Sequence, residues 1–203
     1  MKWNDVTLSQ FIELQDLIKI EDETDRILAI MDLFFGDAVS ELPLAEYNKK
    51  VKELKFLQDE VPTNHIVTKV EVNGHKYTID ALVGHISTAQ YVDFTNYLKG
   101  GDDNRNIPKI LAVFFIPEGH KYNDGYDMEG VIRDMGSLPV DIAVSESFFF
   151  SRQYAKFIQI FRSSSIKQIK KTDLPKEVKK NLIKAVDNSV DLVLSPLSSN
   201  FAK

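Results

Sequence analysis

The sequence predicts an α+β fold that is predominantly α-helical: a helical body, one β-hairpin and a basic C-terminal helical segment. Three observations lead there. Apolar residues recur at helical spacing behind recognisable start signals in several places, while strict alternation occurs only once, around an Asn-Gly pair. The charge also divides along the chain: residues 1–150 carry 14 Lys+Arg against 26 Asp+Glu, a balance of −12, whereas residues 151–203 carry 11 against 4, a balance of +7.

Each element has a local reason. Thr7 and Gln10 form a capping-box pattern ahead of Leu8, Phe11, Ile12 and Leu14, predicting a first helix from about Leu8 to Lys19. EDETDR places acids at the positive end of a second helix, whose apolar residues Ile27, Leu28, Ile30, Met31, Phe34 and Phe35 run to Gly36. Pro43 suits the first turn of a third helix with Leu44, Tyr47, Val51, Leu54 and Leu57 as its expected core face. Ile66, Thr68, Val70 and Val72 then alternate up to Asn73-Gly74, a pair able to adopt the positive φ angles of a tight hairpin turn. A lone hairpin is marginal in water, so it must lie on helices, gain a strand, or extend another sheet.

Ser87 and Gln90 repeat the capping-box pattern before a helix that GGDDN ends. IPKILAVFFIP reads as a short, deeply buried helix between two prolines, with a strand left open by its aromatic and β-branched content. MEGVIRDMG gives two helical turns, LPVDIAVSES starts another helix, FFFSRQYAKFIQIFRSSSIKQIKK a long amphipathic one, and a last helix begins at Pro175. The polar stretch SSSIKQIKKTD is the best linker candidate. The chain is thus divided into a helical body over 1–165, with the hairpin at about 66–80, and a basic segment over 166–203.

At 203 residues the chain can bury a core without staples. The absence of cysteine excludes disulfides, thiolate metal sites and a cysteine nucleophile. No run approaches the ~20 apolar residues of a membrane span, and the first residues lack the apolar centre of a signal peptide, so no membrane association is expected and synthesis in a cytoplasm is.

The chemistry-bearing motifs are few. His65, His75, His85 and His120 form no metal-ligand spacing, and His75, beside the hairpin turn, is expected to be exposed. Aligning Gly125 with the glycine of a calcium loop puts His120 and Tyr122 where acids are needed. Gly100-Gly101 leads into two aspartates and cradles no phosphate; no nucleophile elbow is present; and the pairs Asp22/Asp25 and Asp124/Asp127 are indistinguishable from surface charge. Catalytic, cofactor and metal residues are therefore all expected to be absent. The candidate interaction residues are Tyr122, Asn123, Asp124 and Tyr126 in PEGHKYNDGYD, where tyrosine offers stiff contact area around a turn and Asp127 can cap the next helix, and the cations Arg152, Lys156, Arg162, Lys167, Lys170 and Lys171. Those cations fit the solvated side of a helix whose core face holds Phe157, Ile158 and Phe161, with a nucleic acid or an acidic protein as the other readings.

The order of motifs over roughly residues 7–165 resembles a set of small proteins of tailed bacteriophages, including crAss-like phages: TLSQFIEL, VEVNGHKYTI, STAQYVDFTNYL, IPKILAVFFIPEGHKYNDGYD and FFF, with Gln90, Tyr91, Asp93, Pro108, Ile110, Leu111, Ala112, Pro117, Tyr126 and Asp127 at the matching positions. The resemblance implies a structural virion protein, a ring or connector subunit of the neck or tail near the portal. It would act by oligomeric assembly with itself and with portal, neck or tail proteins. A tail-assembly chaperone absent from the mature particle, or a nucleic-acid-binding module using the basic segment, stands as the alternative. The resemblance brings no catalytic residues.

Overall fold

The computed structural model describes residues 1–36, 39–79, 86–99 and 104–200. Helices make up 68% of the chain and, among the described residues, the sheet has three strands, so the predominantly helical α+β class holds.

The early helices follow their caps. In α1 (Leu8–Leu17) the Thr7 hydroxyl accepts from the Gln10 amide while the Gln10 side chain accepts from the Thr7 amide. In α2 (Glu23–Phe35) Asp22 caps two backbone donors, and Gly36 takes φ 89° at the end. The third helix, α3 (Leu44–Glu53), begins after Pro43, but its expected core face holds only in part: Leu54 and Leu57 pack half-buried against the core, and the earlier positions do not. Leu44 is 73% exposed and Val51 is exposed, whereas Phe56, in the 3₁₀ turn that follows, is buried against Trp3 and Phe34. The helix itself lies at the periphery, and the following turn inserts the anchor.

The hairpin forms as predicted from β1 (Lys69–Val72) and β2 (His75–Ile79), with Asn73 at φ 51° and Gly74 at φ 79°. It gains a third strand. IPKILAVFFIP supplies both readings left open for it: α5 (Ile107–Phe114) is buried at six positions from Pro108 to Phe114, and Phe115 then turns into β3 (Phe115–Pro117), antiparallel to β2 with Tyr77 opposite Pro117. A proline suits this edge because it has no amide to offer a further strand.

Around α5 pack α4 (Thr88–Lys99), α6 (Met128–Gly136) and α7 (Val140–Lys171). Phe114 stacks on Phe150 of α7 with centroids 3.9 Å apart, and Phe94 meets Tyr154 edge-on at 4.6 Å. Burying each such ring stabilises the fold by about 1.5–3 kcal/mol. Phe157 and Phe161 share this helix, and Ile158 between them is buried.

Two boundaries change. The helices expected at LPVDIAVSES and FFFSRQYAKFIQIFRSSSIKQIKK are one helix, and the linker candidate SSSIKQIKKTD lies inside it up to Lys171, so position 165 falls within α7. Serine is tolerated there because Ser163 donates its hydroxyl to the Gln159 carbonyl, and because α8 (Lys176–Asn200) returns antiparallel along this half, with Arg162 on Asp187 at 2.8 Å and Lys179 on the Lys170 carbonyl. The real stop is Thr172, whose hydroxyl bonds the Ile169 carbonyl.

Candidate active-site cleft

The hairpin turn faces α6 across a cleft of about 620 Å³, and its floor is Asp134. Positive φ at Asn73 and Gly74 folds the turn so that three side chains reach this one carboxylate: the Asn73 amide donates at 2.8 Å, His75 Nδ1 lies at 2.7 Å, and the Tyr77 hydroxyl makes a very short bond. His75 and Tyr77 are two apart on β2, hence on the same face. Burial pushes the Asp134 carboxyl up, but the bonds from Tyr77, Asn73 and His75 outweigh it and hold the group below its usual range. Tyr77 moves the opposite way, raised by burial and by the bond to Asp134.

An ionised Asp134 fixes the tautomer of its partner. Nδ1 must carry the proton it donates, which leaves Nε2 as the lone-pair nitrogen of a ring whose side chain is 69% exposed. Around it the cleft presents His120, Tyr126 and Arg133, with Asp127 at the entrance to α6. Arg133 and Asp127 approach only to 3.4 Å. Lys76 lines the cleft too, but strand alternation sends its side chain to the face opposite Tyr77.

Asp127 occupies the N-cap position of α6 without making a side-chain cap bond, which corrects its expected role. Its carboxylate instead lies over Gly130, where an added Cβ would meet Oδ2 at 2.7 Å. The quoted loop is divided in function. Tyr122 donates its hydroxyl to Asp93 at 2.7 Å and anchors the loop to α4; Asn123, at φ 62°, makes the bend; Asp124 sits 3.8 Å from His120; and Tyr126 turns into the cleft with its ring 5.8 Å from His120. Burial raises both tyrosine hydroxyls, Tyr122 further through its bond to Asp93.

The cationic candidates lie elsewhere, all on α7. Arg162 is paired with Asp187; Lys156 and Lys167 border a shallow groove with Ile160; Arg152, Lys170 and Lys171 are exposed. The structure does not bring them to the loop residues. His65 lies outside the cleft, on Asp141 at 2.7 Å, and His85 lies outside the described residues. Among the described residues no group of three or more potential ligands could hold a metal ion, and no helix is long and apolar enough to cross a membrane. Sequence reasoning missed Asn73, Tyr77, Arg133 and Asp134 as site residues. Only the exposed histidine beside a tight turn offered a signal, and it lacked its partner.

No family model and no solved structure matches the chain. Among curated proteins it is similar to a pyridoxine/pyridoxamine 5'-phosphate oxidase of Haemophilus influenzae (strain 86-028NP), 28% identical over 152 residues that cover 73% of this chain. The match spans 65% of that relative's own length. An alignment over nearly three quarters of the chain takes in its middle, where the hairpin, the tyrosine loop and α6 lie. The comparison corrects the expected function: the similar protein is named as an oxidase, and nothing found bears on phage neck or tail proteins. The expectation of a virion ring subunit, chaperone or nucleic-acid module without enzymatic activity is replaced accordingly.

Proposed function

We propose that the chain is an enzyme of small-molecule oxidation whose substrate, a phosphorylated ring compound of the pyridoxine 5'-phosphate kind, binds in the cleft between the hairpin turn and α6. The observation that carries this reading is the Asn73–His75–Tyr77 convergence on Asp134, which presents an oriented imidazole at a cleft sized for a small ligand. The name of the similar protein supports the substrate class.

In this reading His75 Nε2 accepts a proton from the bound molecule, Asp134 stabilises the imidazolium that results, and the hydride lost with that proton would have to pass to a bound electron acceptor of the flavin class, reoxidised by dioxygen. Tyr126 and His120 supply ring faces for a planar ligand, and Arg133, only loosely held by Asp127, supplies the positive charge for an anionic substituent.

The test is calorimetric titration of the native protein with pyridoxine 5'-phosphate and pyridoxamine 5'-phosphate, with mass spectrometry following oxidation of each in aerated buffer with a flavin added as electron acceptor. The expected results are binding by the native protein, a loss of turnover of about 10²-fold or more in His75→Ala, and binding weakened by Arg133→Ala. Absence of binding and oxidation of both compounds by the folded native protein overturns the reading.

A further inference from the structure

Among the described residues three carboxylates line the cleft, Glu118, Asp127 and Asp134, and two of them are already engaged. Asp134 accepts from Asn73, His75 and Tyr77, and Glu118 stands 3.5 Å from the Lys69 ammonium. Asp127 differs from both. It makes no cap bond to α6, and its one described ion pair is the 3.4 Å approach of Arg133. Its carboxylate therefore keeps acceptor capacity open toward the cleft.

The helix beneath is shaped to hold it there. At Gly130, in the first turn of α6, an added Cβ would stand 2.7 Å from Asp127 Oδ2 and 3.1 Å from its Cγ, so any side chain at 130 would push the carboxylate off its seat. The Arg133 and Asp127 side chains are 73% and 67% exposed, which lets water screen their attraction and lets each change partner at little cost. A donor for an anion and an acceptor for a cation thus stand side by side.

Resting on the reading that this cleft takes a phosphorylated ring compound, we infer that Asp127 selects, among such compounds, one that carries an amine next to its phosphate-bearing arm. Pyridoxine and pyridoxamine 5'-phosphate differ at a single ring substituent, a hydroxymethyl in one and an aminomethyl in the other, and such an amine is protonated at neutral pH as that of lysine is. The cationic compound exchanges one stretched ion pair for two: Arg133 turns to the phosphate and Asp127 to the ammonium, both through charge-assisted hydrogen bonds. The alcohol offers Asp127 only a neutral donor and leaves that carboxylate facing the phosphate that Arg133 holds, a repulsion that sharpens the choice.

Calorimetric titration of the native protein with each compound at neutral pH, with no flavin added so that binding alone is read, tests the selection. The amine compound should bind about fivefold or more tighter than the alcohol. Asp127→Asn keeps the shape of the side chain and removes its charge, and should bring the two affinities to within about twofold of each other. Gly130→Ala should reduce the preference in the same direction with the charge still present, and without lowering the melting temperature, since alanine favours the helix more than glycine does. Equal binding of both compounds by the native protein overturns the inference while the assignment of the cleft stands, and so does a preference that survives Asp127→Asn. Binding of neither compound overturns the two together.

Discussion

His75 Nδ1 and Asp134 Oδ2 meet at 2.7 Å across 59 residues of sequence, joining the hairpin turn to the last turn of α6. Around this bond Tyr77 and Asn73 donate to the same carboxylate, so one side chain holds three positions of the hairpin. Asp134→Ala leaves the Tyr77 hydroxyl buried without its acceptor. It should cost about 2–4 kcal/mol in chemical denaturation, with Tyr77→Phe costing about 1–2.

The same carboxylate predicts an acid limit. Its pKa in the folded chain lies below the ordinary 3.8, so its contribution is fully present above that value and is lost as pH falls through the folded value. The stability difference between the native protein and Asp134→Asn should therefore be constant from neutral pH down to about 4 and shrink below it, as measured by denaturation at a series of pH values.

Glu146 predicts the opposite slope. It is fully buried in α7, accepts from the Val67 amide at 2.6 Å, and is raised above its ordinary 4.5 by burial, with the Val67 bond opposing only in part. A raised carboxyl stabilises most when protonated, and its contribution is lost as pH rises through the folded value. Glu146→Gln keeps an acceptor for Val67 and removes the buried charge. It should be more stable than the native protein at neutral pH and flatten the pH profile in the acid range. Glu146→Ala should lose about 1–3 kcal/mol by leaving that amide unpaired.

The ring stack of Phe114 on Phe150 is the centre of the core, both residues being at most 2% exposed. Either Phe→Ala change should cost about 3–5 kcal/mol. Because each deletion removes the same stacked contact, the double variant should lose less than the sum of the two, read by a double-mutant cycle.

At the hairpin, an added Cβ on Gly74 meets nothing within 4 Å, so only the φ of 79° resists a side chain. Gly74→Val should cost about 1–2 kcal/mol and Gly74→Asn less, since asparagine tolerates this region. Thermal unfolding of the two variants separates backbone strain from crowding.

What the sequence made legible is what neighbours in sequence decide. Thr7 with Gln10, Ser87 with Gln90, and Asn73 with Gly74 each sit within four residues of what they determine, and each was placed correctly. The Asp134 cluster depends on α6 docking under a hairpin some sixty residues earlier in the chain, and no local pattern in MEGVIRDMG marks its aspartate as an acceptor. α3 misled for the same reason. Its apolar spacing is real, but Leu44 and Val51 stay exposed, and it is Leu54, Leu57 and the buried Phe56, at its end and in the following turn, that reach the core. The serines at 163–165 looked like a break because propensity is local, whereas α7 is carried through them by its packing on α8.

A short backbone ladder ties the two ends of the body together: Leu8 donates to the Leu138 carbonyl and Val140 to that of Val6, both at 2.8 Å, around the paired Thr7 and Pro139. During synthesis on the ribosome the first helix can settle against α2 as soon as that helix follows it, but this backbone ladder closes only when Val140 has emerged. The last step by which the nascent chain matures is thus a closure of segments far apart in sequence.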